Sequence, residues 1–291
     1  MLFKQVVDAF VASREWDASS LGRLEYWAEC FGDREFAALT VDDVDAALMR
    51  LAERGRLLAG RRSTKRSGRP LKGATINRYQ STLGSIYKFA RRARLVPRNF
   101  VTPTHGIEKL PEPIDPDRYL RQEEVERIIA CARVVDRFWK KLPALIVVAF
   151  HTGLRLGSLM KLKWENVDLE ARRLVLGHTK NGDPIGSALT ARCAAELERL
   201  SRKESGALVF GSRCGRPFQF RHLWSRACTL AGLPGRNFHQ LRHGCGSALA
   251  RAGTGQAQIM AVMGHRTLTA SARYMHLNTD DQRAVVDKVF G

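Results

Sequence analysis

NFHQLRHGCGSALARAG, residues 237–253, is the stretch on which the reading of this chain turns. It reads as a helix, and His239 and Arg242, three residues apart, bring an imidazole and a guanidinium to one face of it. Taken alone, His239 reads more readily as a helix cap. Neighbouring segments separate the two readings.

HTGLRLGSLMKL (151–162) sets Arg155 just beyond a helix-ending glycine, and HTKNGD (178–183) sets Lys180 at an Asn-Gly hairpin turn. VMGHRT (262–267) offers His265 after Gly264, and TASARYMHLN (269–278) places Tyr274 nine residues later. Each has a plain explanation: an ion pair for Arg155, a solvated turn for Lys180, a packed ring with a hydrogen-bonded tip for Tyr274. Together they make a chemically complete set for moving a phosphoryl group onto a tyrosine. Cleaving a phosphodiester builds charge on two non-bridging oxygens, which the planar donor forks of Arg155 and Arg242 suit. The phenol, with an ordinary pKa of about 10, needs nearby cations and a base to become a nucleophile at neutral pH. His239 is the candidate base, and His276 is secondary. Lys180 fits the acid that protonates the leaving 5′ oxygen, with His265 donating a hydrogen bond to a phosphate oxygen. No metal and no other cofactor is expected.

Outward from these segments the chain divides. Four helical patterns precede residue 100, the third opening with Thr40 three residues before Asp43, an acidic variant of the capping box. The fourth carries Ile76, Tyr79, Leu83, Ile86 and Tyr87 on one stripe, leaving Arg78, Lys88, Arg91 and Arg92 for a basic face. A Gly-, Ser- and Arg-rich loop precedes it, and Arg61, Arg62, Lys65, Arg66, Arg69 and Lys72 join that face as candidate phosphate contacts. Four prolines, at 103, 111, 113 and 116, mark a linker. The expected division is a helical domain over 1–105, a linker over 106–118 and a second domain over 119–291. In the second, alternation around Asn181-Gly182 predicts a hairpin, and the rest reads as helices ending in the amphipathic TDDQRAVVDKVF. The fold class is mainly α (α+β) with a small antiparallel β-sheet.

Composition agrees. The net charge is +19, and residues 50–94 hold fourteen Lys or Arg against one acid, so an acidic partner is required and nucleic acid is the first choice. The longest apolar run, LPALIVVAF from Leu142, is far too short to span a bilayer, and the first sixteen residues read as an amphipathic helix rather than a signal peptide. A cytoplasmic, nucleoid-associated protein without membrane contact is expected. The six cysteines are scattered without a C-x-x-C pair, as for reduced structural thiols.

TGLR, TKNG, HQLRH, and MGH followed by YMH resemble, in combination, order and spacing, the tyrosine recombinases of the phage integrase family. The resemblance covers essentially the whole chain. It implies an N-terminal four-helix, SAM-like domain that binds core DNA, and a catalytic domain using Arg155, Lys180, His239, Arg242, His265 and the nucleophile Tyr274. It also implies a 3′-phosphotyrosyl intermediate on double-stranded DNA with specific recombination sites, exchanged without ATP. The partner state is a homotetramer on DNA and a monomer in solution, with room for accessory DNA-bending proteins. Val285, Val286, Val289 and Phe290 would form a docking helix, and no arm-binding domain is expected ahead of the first helix. Two departures stand out: Ser158 occupies the place of a common glutamate, and GCGSAL replaces bulkier residues, a packing change expected to be tolerated. A silent DNA-binding protein of the same fold and a type IB topoisomerase-like nicking-closing enzyme are the alternatives.

Overall fold

A computed structural model describes residues 1–55, 70–112, 119–138, 140–177, 185–200 and 204–264, together with Thr267, Ser271, Tyr274 and Asp287. The chain forms two compact units, Met1–Ile114 and Asp115–Gly291.

The first unit holds α1 (Phe3–Ala12), α2 (Ala18–Phe31), α3 (Val41–Arg54) and α4 (Gly73–Arg92). α3 starts where the sequence placed it. Thr40 Oγ1 accepts from the Asp43 amide at 3.2 Å, and Asp43 accepts from the Thr40 amide at 2.9 Å, closing a reciprocal cap. Asp43 also pairs bidentately with Arg34, whose guanidinium holds the carboxyl well below the usual carboxylate range. The core is aromatic: Phe36 stacks on Tyr87 with centroids 4.4 Å apart, and Trp27 Nε1 donates to the Tyr79 carbonyl at 2.9 Å, tying α2 to α4.

α4 buries the expected stripe, with Tyr79 half-buried, and leaves Arg78, Lys88, Arg91 and Arg92 exposed. It also buries Asn77 and Gln80, which apolar periodicity does not account for. Asn77 Nδ2 donates to the Leu110 carbonyl and to Glu112, and its Oδ1 accepts from the Leu110 amide, all within 2.9 Å. Gln80 Nε2 donates to the Ile107 carbonyl at 2.8 Å. These two amides use their donor and acceptor sites to hold residues 107–112 as an extended strap along α4.

In the second unit α6 (Lys141–Thr152) is the central helix; Leu142 through Phe150 are all buried, which is what an unbroken apolar run permits. Buried Asp136 accepts from the Lys141 and Leu142 amides and so caps its open end. Packed around it are α5 (Gln122–Val135), α8 (Ala191–Glu198) and α10 (Gln240–Arg251), while α9 (Arg221–Leu230) packs on α5. The short α7 (Leu156–Leu159) and α11 (Gln256–Met263) complete the described helices. The hairpin appears as β2 (Arg173–Leu176) and β3 (Ile185–Ala188), antiparallel with Leu174 opposite Ser187; β1 (Val167–Asp168) pairs on the other side of β2. Along β2, Leu174 and Leu176 are buried while Arg173 and Val175 face out, the period-two pattern of a half-buried strand. No described helix is long and apolar enough to cross a membrane.

Candidate active site

The site begins at the end of α6. Gly153 adopts a left-handed conformation (φ 62°), the geometry that ends a helix and that a side chain disfavours. Two residues on, Arg155 is the N-cap of α7 with its side chain exposed, and its carbonyl accepts from the Ser158 amide at 2.9 Å. Ser158, the departure from the common glutamate, therefore sits within the turn that Arg155 opens.

α10 supplies the next groups. His239 is its N-cap residue, without a side-chain cap bond. Arg242 is buried, and its guanidinium donates to the Gly153 carbonyl, joining α10 to the turn that carries Arg155. Arg242 and the turn that carries Arg155 thus belong to one tied constellation, although Arg242 and Gly153 are 89 positions apart. A charged donor to a buried carbonyl is among the stronger hydrogen bonds, and it restricts the fork to a single direction.

Tyr274 lies against the same helix. It is 5% exposed, and its hydroxyl is 3.0 Å from Nδ1 of His243, itself 9% exposed. The His239 ring meets His243 edge-on, with centroids 4.9 Å apart at 86°, and the Tyr119 ring also meets it edge-on, at 6.0 Å and 81°. His243 did not stand out in the sequence. The signal that could have found it is the histidine directly after Arg242, one residue away from the pair that was singled out.

In GCGSAL, Gly246 lies in close contact with the site. A Cβ added to Gly246 would come within 2.8 Å of Cε2 and Cζ of Tyr274 and 2.9 Å of Met263 Sδ, closer than packed carbon atoms approach. The ring occupies the space a side chain would fill. Between the glycines, Cys245 is buried behind Gly153; burial pushes its thiol up to about 11, with Arg242 pulling the other way, so it stays protonated at neutral pH.

Lys180 and His265 lie outside the described residues, as do Arg61, Arg62, Lys65, Arg66 and Arg69 and the C-terminal Val285, Val286, Val289 and Phe290. Of the candidate phosphate contacts within them, Lys72 precedes α4 and is exposed like Arg78, Lys88, Arg91 and Arg92. Lys88, Arg91, Arg92, Arg94 and Arg98 line an open depression of about 550 Å³ at the end of α4. Arg94, counted in the basic stretch 50–94 but not among the candidate contacts, and Arg98 both lie beyond the end of α4.

The model of the phage integrase family matches residues 118–281, more than half of the chain. The shufflon-specific DNA recombinase of Escherichia coli is 27% identical over 217 residues, 73% of this chain and 53% of that protein. Tyrosine recombinase XerC of Lactobacillus delbrueckii subsp. bulgaricus is 26% identical over 228 residues, 73% of this chain and 75% of its own. The fold is that of the Tn1549 transposon integrase in complex with transposon right end DNA (TM-score 0.76, 18% identity, all of both chains). It is also that of a lambda integrase dimer bound to a core site (TM-score 0.68, 17% identity, 94% of this chain and 95% of the other). With its motifs, its helical architecture and the family match in agreement, this chain belongs to the phage integrase family, the tyrosine recombinases.

Proposed function

We propose that the chain is a site-specific DNA recombinase that cuts and rejoins duplex DNA through a covalent 3′-phosphotyrosyl link. The observation that carries this reading is the buried Tyr274 hydroxyl held by an imidazole on the helix whose preceding residue is Arg242. Arg155 and Arg242 would neutralise the charge that builds on the non-bridging oxygens. The Tyr274 oxygen attacks phosphorus and gives up its proton to an imidazole of α10, His239 being the candidate from the motif. The bond to the 5′ oxygen breaks, and that oxygen takes a proton from Lys180; His265 donates to the phosphate. The free 5′ hydroxyl of one duplex then attacks the phosphotyrosine of the other, so bond energy is conserved and no ATP is consumed.

The basic face of α4 gives the first unit the role of gripping DNA by its phosphates, and the second unit that of catalysis. Exchange between two duplexes needs four active sites, which supports a homotetramer on DNA formed from monomers, with accessory DNA-bending proteins as further partners. A lambda integrase tetramer bound to a Holliday junction has this fold (TM-score 0.65, 17% identity). A nucleoid-associated location follows from such a substrate.

The test is covalent capture. Nicked duplexes made from a genomic fragment pool are incubated with the protein and separated under denaturing conditions. The expected result is a protein–DNA adduct carrying recoverable site sequences, reduced at least about 10⁴-fold in Tyr274→Phe with binding unchanged. No adduct on any fragment would sink the catalytic reading and leave a silent DNA-binding protein. Relaxation of one plasmid without joining of two sites would favour a nicking-closing enzyme.

A further inference from the structure

Among the described residues, the Tyr274 hydroxyl meets the imidazole of His243, and that contact has the geometry of a proton transfer. The Nδ1–Oη separation of 3.0 Å is within general-base reach, and both groups are shielded from water that could compete for the hydrogen bond. His243 and Gly246 stand three residues apart on α10, hence on one face. The phenol ring lies over the bare backbone at Gly246, and its tip is delivered to His243. Met263 closes the same slot beside the ring. The bond from Arg242 to the Gly153 carbonyl fixes α10 against the turn of Arg155, so this seat is registered to the phosphate clamp.

We propose that His243 is the proton acceptor for Tyr274 and that Gly246 provides the seat that brings the nucleophile to it, a proposal that rests on the recombinase reading above. With Nε2 carrying the ring proton, Nδ1 accepts from the Tyr274 hydroxyl. The Tyr274 proton passes to Nδ1 and leaves an imidazolium, the Oη lone pair forms the bond to phosphorus, and the electrons of the broken bond go to the 5′ oxygen, which Lys180 protonates. Resealing runs the steps backwards, with the imidazolium returning its proton to the departing phenolate. Among the described residues, the ionisable groups around the His243 ring include Tyr119, Tyr274 and His239, with Arg242 on the neighbouring residue. His239, edge-on to His243, is assigned the support of that ring rather than the first proton transfer.

The experiment is the single-turnover rate of adduct formation on a captured nicked duplex between pH 5.5 and 9, for wild type, His243→Asn, His239→Asn and Gly246→Ala. The wild-type rate should rise with pH and level off once the accepting imidazole is neutral. His243→Asn should lose about 10²–10⁴-fold and the plateau with it, while DNA affinity stays within about 3-fold. His239→Asn should be slower yet keep the break, and Gly246→Ala should be slow at every pH with the break in place, because the ring is displaced from an intact base. The proposal is overturned if wild type shows no break, which decides the matter even if a variant fails to fold. It is equally overturned if His243→Asn keeps the rate and profile, or if the break disappears in His239→Asn alone. Absence of any adduct with wild type is the separate failure of the recombinase reading.

Discussion

α4 and α10 carry the two halves of the proposed activity, and they carry them differently. On α4 the cations are exposed and spread from Arg78 to Arg92, on a helix whose other face packs against an aromatic core. On α10 the groups are buried within a few residues, and each has a specific neighbour: Arg242 the Gly153 carbonyl, His243 the Tyr274 hydroxyl, Gly246 the Tyr274 ring. Screened charges on a surface contribute in small, nearly independent amounts, whereas groups enclosed together act as one unit. The first arrangement suits affinity for a uniform phosphate backbone. The second suits a reaction in which misplacement by an ångström is costly.

Three measurements would break or sharpen that contrast. The largest effect belongs to Arg242→Lys, which keeps the charge and loses the planar fork. Adduct formation should fall by about 10²–10³-fold with DNA affinity little changed. A rate that falls only in step with binding would move Arg242 into the distributed class. A smaller effect is expected on α4: alanine at Arg78, Lys88, Arg91 or Arg92 should each weaken non-specific binding several-fold and reduce the slope of log K against log salt by about 1. The adduct rate at saturating DNA should not change. Filter binding across a salt series checks this, and one residue dominating the slope would contradict a shared grip.

The smallest effect is on stability, away from both helices' chemistry. The Asp43 carboxyl is lowered by its Arg34 hydrogen bonds and by the Thr40 cap, so the folded state binds its proton less tightly than the unfolded one. Its contribution is therefore complete above the ordinary carboxyl value of about 4 and is lost as pH falls below it. Asp43→Asn should lower the melting temperature of the first unit by about 3 °C at pH 7, and the difference should shrink below pH 4. A difference that grows on acidification would assign the effect to something other than this carboxylate.

Much of the architecture was legible because it is periodic. The α4 stripe, the Thr40 cap, the Gly153 helix end and the paired strands on either side of Asn181-Gly182 are local patterns, and each appears where its residues predict. Asn77 and Gln80 were not legible. Polar residues on a buried face conflict with the local pattern, and only the strap at 107–112 supplies their partners. The same holds for Arg94 and Arg98, which reach the basic depression from a loop. Lys180 and His265 rest on their motifs.

The sequence by itself determined which chemical groups are present, in what order, and on which kind of element. That was enough to indicate a tyrosine, two arginines and an imidazole working on phosphate. Tertiary structure alone decided which imidazole meets the phenol, that Arg242 reaches the turn before Arg155, and that Gly246 is empty so that a ring can fill it. The reason is one of range. Helical and strand periodicity follow from sterics between near neighbours, while the meeting of atoms 31 or 89 residues apart depends on how whole faces pack.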